Sequence, residues 1–254
     1  MTRYLDDLGL PVVIDGTPRR VVSLVPSLTE AVAWSAPDAL VGATDWCTHP
    51  ADLDVTRVRG TKNPDLDAIV ALRPDLVVAE DEENRPADLA ALRDTGIPVW
   101  TTQIRTVDGA LRSMARLVDA LEVPPPSWLD DAHDAWAAPT RVDPARRVRA
   151  VIPIWRRPWM FVGQDTYAGD VLRRLGVDNV LRGHDERYPA VPLDELPGAD
   201  LAILPDEPYR FTDDDGPEAF DPLPSALVDG RSLTWYGPAM IGAPERLVRQ
   251  LRGR

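Results

Sequence analysis

Apolar runs alternate with amphipathic segments along this chain, and one such unit occurs twice. The first copy, RVVSLVPSLTEAVAW, spans residues 20–34, and the second spans residues 149–176. In each copy a short apolar run leads into a loop with proline, glycine or aromatic residues, and a segment with helical spacing follows. Strands that alternate with helices at short spacing predict mainly parallel sheets, so the predicted fold class is α/β.

The segment between the two copies has helical rather than strand character. Its apolar positions recur at helical spacing from Val107 onward, and three prolines at 124–126 either end this helix or kink it. Two lobes joined by a helix favour a cleft that captures a ligand. The predicted parts are an N-terminal α/β lobe over 1–105, a linking backbone helix over 106–138 and a C-terminal α/β lobe over 139–254.

Turn and cap residues near the N-terminus predict where the first elements begin. The Asp15-Gly16 pair lies between two apolar runs, which predicts a β-hairpin over residues 11–25. Ser27 with Glu30 three residues later fits a capping box, so a helix is expected to follow Ser27.

Further along the chain the same signals place four more elements. Asp65 is the predicted N-cap of one helix, and Asp165 or Thr166 is the predicted N-cap of another. The continuous apolar run over 75–80 predicts a fully buried strand. Residues 232–238 are predicted to form the last strand and the loop that follows it.

Large aromatic side chains are concentrated in the loops that we expect to follow the strands. Ligands of open α/β sheets bind beyond the carboxyl ends of the strands, and flat rings that face one crevice suit a broad, flat, partly apolar ligand. For any single ring, packing in the core is the alternative. The rings are Trp46, Trp155, Trp159, Tyr167, Tyr188, Tyr209, Phe211, Trp235 and Tyr236.

The chain is acidic, with a formal net charge of −13 at pH 7. Such a surface repels phosphate backbones and anionic lipid, so neither nucleic acid nor a membrane surface is an expected partner. No apolar run approaches the ~20 residues that span a bilayer, so we expect no membrane span. Asp6 and Asp7 lie where a signal peptide has its apolar core, which predicts a cytoplasmic protein.

Cys47 and His49 lie two residues apart in one predicted loop. On an extended loop their side chains point the same way, so they could share a metal ion. Two ligands are too few for a closed zinc site, and Asp165 or His184 would have to complete it. One alternative makes His49 an axial ligand of the metal in a bound corrinoid or haem. The other is a well-packed loop in which Pro50 fixes the exit of the chain.

Polar residues in the predicted loops supply hydrogen bonds for a ligand. Lys62, the only lysine, and Asn63 suit amide or carboxylate groups, and arginines suit them in fork geometry. A solvated surface is the alternative for each. The acidic residues 80–83 precede a predicted helix, where they favour the positive end of its dipole. The arginines are Arg85, Arg105, Arg156 and Arg157.

Motifs spread over residues 19–238 carry a family resemblance. VVSLVPSLTE, VGATDWCTHP, GTKNPDLDAIVALRPDLVVAEDEENR, the W-x3-W of PIWRRPWM, VGQDTYAGDVLRRLGVDNV, LPDEPYRF and LTWYGP resemble the cobalamin-type branch of the helical-backbone (class III) substrate-binding proteins of ABC importers. The resemblance implies two Rossmann-like lobes bridged by one long helix, with a cobalamin, haem or siderophore bound between them. It also implies acidic patches, at 80–83 and at Asp206 and Glu207, that dock arginines of an ABC permease. This chain would have that partner only if it were exported.

We therefore predict a non-catalytic protein that binds a corrinoid such as cobalamin, or another metal chelate or flat aromatic ligand such as haem, in the interlobe cleft. One alternative is a cytoplasmic enzyme on the same scaffold, with Cys47 and His49 as a thiolate–imidazole pair or Lys62 as a Schiff-base lysine. Another is direct capture of a bare metal ion by Cys47 and His49. The candidate ligand-binding residues are Ser27, Trp46, Cys47, His49, Lys62, Asn63, Glu83, Arg85, Arg105, Trp155, Trp159, Asp165, Tyr167, Glu207, Tyr209, Trp235 and Tyr236.

Overall fold

The computed structural model describes residues 1–137 and 147–252. They form two compact units, and each unit takes more than one stretch of the chain. The end of the predicted linking helix at 138 and the start of the predicted C-terminal lobe over 139–146 lie outside the described residues. The first unit comprises Met1–Ile104, Ala110–Asp130 and Tyr236–Pro238, and the second comprises Arg105–Gly109, Asp131–Trp235 and Ala239–Arg254.

The first unit is built on a five-stranded parallel sheet with strand order β5-β4-β3-β8-β9. Its strands are β1 Thr2–Leu5, β2 Pro11–Ile14, β3 Val21–Ser23, β4 Leu40–Ala43, β5 Thr56–Arg57, β6 Arg59–Gly60, β7 Asn63–Pro64, β8 Leu76–Glu80 and β9 Val99–Thr102. Its helices before residue 104 are α1 Pro26–Ser35, α2 Leu66–Ala71 and α3 Pro86–Asp94. Every residue of β8 is buried, as the apolar run over 75–80 predicts.

The predicted hairpin over 11–25 is wrong. The strand β2 pairs in antiparallel fashion with β1, whereas β3 lies between β4 and β8 in the parallel sheet. The burial patterns explain the difference: Val12 and Ile14 alternate with exposed neighbours, but all three residues of β3 are buried. An alternating strand suits a half-solvated antiparallel pair, and a fully buried one suits the middle of a parallel sheet.

Of the three predicted caps, two are confirmed. The Asp65 carboxylate accepts a hydrogen bond from the backbone N–H of Ala68, and Thr166 accepts one from that of Gly169. The Ser27 cap is wrong, because α1 begins at Pro26, so Ser27 already lies within the first turn of the helix. Proline fixes the helical φ and needs no N–H there, so it occupies the first position without a side-chain cap.

Two helices follow the first sheet, α4 Val107–Ala120 and α5 Ser127–Ala137, and the proline run at 124–126 separates them. Trp128 and Trp136 are buried, as the helical spacing predicts. The indole N–H of Trp128 donates to Ser35 Oγ at 3.1 Å, and that of Trp136 donates to the Met240 carbonyl at 3.0 Å. The helix α5, which carries both tryptophans, is therefore fixed by hydrogen bonds as well as by apolar packing.

The second unit is built on a four-stranded parallel sheet with strand order β13-β10-β14-β15, beside the antiparallel pair β11 and β12. Its strands are β10 Val148–Val151, β11 Pro153–Trp155, β12 Met160–Phe161, β13 Val177–Asn179, β14 Leu201–Pro205 and β15 Ser225–Val228. Its helices after residue 147 are α6 Tyr167–Arg174, α7 Gly230–Thr234 and α8 Ala243–Arg252.

The predicted strand over 232–238 is wrong, and the last strand is β15. The Asp229 carboxylate accepts a hydrogen bond from the backbone N–H of Ser232 at 2.9 Å. That cap starts α7, so the segment after β15 turns into a helix. The fold class itself is confirmed as α/β with parallel sheets. Within residues 1–137 and 147–252, no helix has the length and apolar character needed to cross a bilayer.

Candidate ligand-binding residues

Trp46 is the exposed aromatic residue of the first unit that follows a sheet strand at its carboxyl end. It lies three residues after β4 and is 66% exposed. A Cβ atom on Gly60 would lie 3.3 Å from Trp46 Nε1 and 2.5 Å from Asn63 Oδ1. The Trp46 indole therefore lies close to the Gly60 backbone, in space that a larger residue's side chain would occupy. The Asn63 side chain lies against the same glycine. The structure brings Trp46 and Asn63 together, and both are exposed.

Cys47, the next residue, is fully buried. Thr29 donates a hydrogen bond to its sulfur at 2.9 Å, and the Thr44 hydroxyl lies 3.1 Å from the same atom. Burial raises the pKa of the Cys47 thiol, and these hydroxyl contacts offset only part of that effect. Since a nucleophile or a metal ligand needs the thiolate, a protonated and enclosed thiol is a packing group.

His49 lies on the same loop but in a different environment. It is half-buried, and its Nδ1 lies 3.2 Å from Thr48 Oγ1. His184, which the sequence offered as a further ligand, accepts a hydrogen bond at Nδ1 from the Glu186 backbone N–H. Among the residues that the structure describes, no three His, Cys, Asp or Glu side chains come close enough to hold a metal ion.

The residues Glu80, Asp81, Glu82 and Glu83, here called the acidic turn, follow β8. The Glu80 carboxylate accepts backbone hydrogen bonds from Glu82 at 2.6 Å and Glu83 at 2.9 Å. Burial, reinforced by Asp81 and Glu82, raises the pKa of Glu80 to about 9. Glu80 is therefore a neutral acid at pH 7, and it fixes the turn from inside.

Asn84 and Lys62 tie the acidic turn to the loop that carries Gly60. The Asn84 amide donates to the Thr61 carbonyl at 3.0 Å and accepts from the Glu80 backbone N–H at 2.9 Å. The Lys62 ammonium donates to the Glu82 carbonyl. These bonds make the two loops one polar edge of the first sheet.

Glu83 has an exposed side chain on this edge. Desolvation by the surrounding protein raises the pKa of the Glu83 carboxyl group, and the charge of Lys62 offsets part of this rise. Arg85, by contrast, forms two hydrogen bonds with Asp88, at 2.8 and 3.0 Å. Its guanidinium is thus committed to the first turn of α3.

Ser27 and Tyr236 meet inside the first unit. Both are buried, and the Tyr236 hydroxyl forms hydrogen bonds with the side chains of Ser27 and Thr102. Burial raises the pKa of Tyr236 well above its ordinary value, and the nearby Glu80 raises it further. These two candidates lie behind the surface of the unit rather than on it.

Trp155 is the exposed aromatic residue of the second unit. It is the last residue of β11 and is 43% exposed. Its ring meets Tyr209 edge to face, with centroids 5.7 Å apart. The Tyr209 hydroxyl donates to Asp215 Oδ2 at 2.6 Å, and Asp215 also pairs with Arg156. Trp155 therefore stands on a ring that an ion pair fixes.

Trp159 belongs to the core of the second unit. It lies parallel to Phe211, with centroids 6.0 Å apart, and edge to face with Phe220 at 5.3 Å. The Arg156 guanidinium covers its ring at 5.2 Å. Packing, the alternative considered for every ring, thus describes Trp159 and the buried Phe211.

Three further candidates join in one chain of hydrogen bonds. The Tyr167 hydroxyl donates to the Trp235 carbonyl at 3.3 Å, and the Trp235 indole donates to Glu207 Oε2 at 2.9 Å. Burial raises the pKa of Tyr167 and also that of Glu207. The rings of Tyr167 and Trp235 are buried, so these two residues hold Glu207 in place rather than present a surface to a ligand.

Arg105 and Asp165 form a loose pair, with 4.0 Å between Nε and Oδ2. Tyr188 is half-buried. The residues that sequence reasoning missed are Gly60, which accommodates Trp46, and Asp215, which fixes Tyr209. The run of three aspartates at 213–215 was visible, but nothing in it distinguishes Asp215, and the approach of Gly60 to Trp46 has no local signal.

Comparison with known proteins gives one family and several similar structures. Residues 21–121 match the family described as periplasmic binding protein. A vitamin B12-binding protein of Vibrio cholerae is 26% identical over 186 residues, which cover 70% of this chain and 66% of that protein. The alignment thus spans slightly less than two thirds of that relative.

Two solved structures show the same fold. The nickel-bound CeuE of Helicobacter pylori has a TM-score of 0.82 at 14% identity, and the match covers 100% of this chain and 89% of that one. The periplasmic heme-binding protein RhuT of Roseiflexus has a TM-score of 0.70 at 16% identity, and the match covers 93% of this chain and 100% of that one.

Proposed function

From the confirmed resemblance to the class III substrate-binding proteins of ABC importers, we propose that this chain binds a corrinoid or another flat metal chelate without catalysis. One observation carries the proposal: most large rings are enclosed, but Trp46, three residues after β4, and Trp155, the last residue of β11, stay exposed at strand ends. Relatives named for vitamin B12 and for heme support this class of ligand. Work with an ABC permease is proposed only for an exported form.

The physical basis is the cost of leaving an indole in water. Covering an exposed indole with a flat apolar surface removes on the order of 100 Å² from water, which is worth about 2 kcal/mol. Trp46 lies against Gly60, and Trp155 lies against Tyr209, so neither ring loses much freedom when a ligand covers it. Pre-ordered rings of this kind supply affinity rather than fold stability.

The enzyme alternative has no supporting observation in the described residues. A Cys47 nucleophile would need a thiolate, whereas burial raises the pKa of this thiol. A Schiff-base lysine would need a desolvated amine, whereas Lys62 is exposed and donates to the Glu82 carbonyl. We therefore propose one function.

The test is a titration of the purified chain with cyanocobalamin and with hemin, followed by visible absorbance and calorimetry. We expect a dissociation constant of about tens of micromolar or lower for at least one of them. Trp46→Ala and Trp155→Ala should each weaken that binding about tenfold, the equivalent of about 1.4 kcal/mol. No heat and no spectral change with either compound would contradict the proposal.

Trp34→Ala is the matched control. Trp34 is 53% exposed, but it lies at the C-terminal end of α1 rather than in a loop after a strand. In a parallel α/β sheet that end of the helix lies at the opposite edge from the strand ends. Trp34→Ala should leave ligand affinity unchanged. An equal fall in affinity for Trp34→Ala, Trp46→Ala and Trp155→Ala would show that the effect is not local to the proposed site.

A further inference from the structure

Two consecutive arginines in the turn between β11 and β12 have different surroundings. Arg156 has a side chain only 17% exposed, pairs with Asp215, and lies 2.5 Å from Glu218 Oε1 through Nη2. Its guanidinium also covers the Trp159 ring. Arg157 is exposed and forms no hydrogen bond or ion pair with any residue in 1–137 or 147–252. One arginine is thus built into the unit, and its neighbour keeps its donors available.

Asp215, an acid on which the charge of Arg157 acts, already has other partners. Asp215 accepts the Tyr209 hydroxyl and pairs with Arg156. The Tyr209 hydrogen bond and the two arginine charges lower the pKa of Asp215, so it is ionised at neutral pH. Asp215 thus has its hydrogen-bonding and ion-pair partners in Tyr209 and Arg156, and the Arg157 guanidinium, a permanent cation with five N–H donors, keeps those donors for another anion.

Trp155, Tyr209 and Arg157 share one neighbourhood. Trp155 lies two residues before Arg157, and its ring meets Tyr209 at 5.7 Å. The charge of Arg157 acts on Tyr209, where it lowers the pKa of the phenol against the larger effect of the Asp215 hydrogen bond. The exposed Trp155 ring and the exposed Arg157 cation thus both lie near the Tyr209 side chain.

We infer that Trp155 and Arg157 form a subsite for a planar ligand that carries a carboxylate at its edge. The ring of the ligand lies against the indole, and the carboxylate takes the paired donors of the guanidinium. This inference rests on the proposed function and narrows its ligand class to chelates with free carboxylates rather than fully amidated ones. A chain with a net charge of −13 repels anions at long range, so an anionic ligand needs a local cation of this kind.

The test compares two corrinoids that share a ring and differ in their side groups. Cobyrinic acid carries free carboxylates, and cobinamide carries amides in their place. We expect the unchanged protein to bind cobyrinic acid more tightly than cobinamide. We also expect added salt to weaken the binding of cobyrinic acid more than that of cobinamide. Arg157→Gln should weaken binding of cobyrinic acid about tenfold or more and that of cobinamide less than about twofold.

Arg182→Gln is the matched control, since its side chain is 74% exposed in the same unit and 3.6 Å from Asp178. It makes the same change in net charge and should leave both affinities unchanged. If cobinamide binds but Arg157→Gln affects both ligands equally or neither, the subsite is overturned and the proposed function stands. If neither corrinoid binds the unchanged protein, the subsite is overturned, and the proposed function is overturned as well only if cyanocobalamin and hemin also fail to bind.

Discussion

Each unit has an exposed indole near the end of a strand, and the two indoles lie in opposite electrostatic settings. In the first unit Trp46 follows Asp45 and lies against Gly60, whose loop Lys62 ties to the acidic turn. In the second unit Trp155 is followed by two arginines. The rings supply the same apolar area, so the difference lies in which charged groups of a ligand each unit tolerates.

The comparison also separates two uses of tryptophan within the second unit. Trp159 is stacked on Phe211 and covered by Arg156, whereas Trp155 has one open face. Position in the chain does not distinguish them, because they are four residues apart in one hairpin. What distinguishes them is the set of rings that distant segments bring to each, and the predictions below test that distinction.

The largest effect is expected from Trp159→Ala, which should lower the free energy of unfolding by about 3–5 kcal/mol because it empties a packed aromatic site. Trp155→Ala should change it by less than about 1 kcal/mol, since that ring is partly in water. Urea denaturation followed by circular dichroism measures both. Equal losses for the two variants would abolish the distinction between a core ring and a displayed ring.

The buried Glu80 gives the stability of the first unit a dependence on pH. Its pKa, about 9 when folded, lies above that of an exposed glutamic acid, so its contribution to stability is complete below about pH 4 and is lost as the pH rises through 9. Glu80→Gln keeps a neutral group there. The stability of the variant relative to the unchanged protein should therefore increase from pH 5 to pH 9, by at most about 1.4 kcal/mol per unit.

Denaturation at pH 5, 7 and 9 measures that difference. Glu245→Gln, on the exposed face of α8, is the control and should show no such trend. A constant difference between Glu80→Gln and the unchanged protein across this range would mean that Glu80 is ionised in the folded state.

Gly60→Ala should affect ligand binding through Trp46 with little cost in stability. The new methyl group would lie 2.5 Å from Asn63 Oδ1 and 3.3 Å from the indole nitrogen, so both side chains must move. We expect affinity to fall about two- to fivefold, less than for removal of the ring. Gly183→Ala, where a Cβ meets nothing within 4 Å, should have no effect on the same titration.

The smallest effect is expected at Cys47. The folded protein should not react with a thiol-specific disulfide reagent at pH 8, because its thiol is buried and the pKa is raised. Denaturant should release one reactive thiol per chain, which is the internal control, since Cys47 is the only cysteine. Rapid reaction of the folded protein would restore Cys47 as a candidate nucleophile.

The features that sequence reasoning predicted well depend on nearby residues. The burial of β8 follows from a continuous apolar run. The Asp65 and Thr166 caps each rest on a hydrogen bond between two residues three positions apart in the chain. The wrong predictions concern pairing between distant segments. Whether β2 pairs with β1 or with β3 depends on which sheet receives β3, and no local pattern contains that information.

The candidate site divides in the same way. Residue type and loop position identify the tryptophans, but the exposure of Trp46 and the enclosure of Trp159 depend on Gly60 and on Phe211. The contrast between Arg156 and Arg157 likewise depends on Asp215, some sixty residues later. Charge and ring type could thus be predicted, while their accessibility required the assembled neighbours.

The Tyr236 hydroxyl, bound to Ser27 and Thr102, has a consequence for the order of events on the ribosome. Because residues 236–238 belong to the first unit, that unit lacks its last piece until almost all of the polypeptide has been made. The hydroxyls of Ser27 and Thr102 lack the Tyr236 phenol as a hydrogen-bond partner until more than a hundred further codons have been translated. The N-terminal part of the nascent chain therefore cannot complete its native interior during synthesis, in contrast to domains that mature one after another as they emerge.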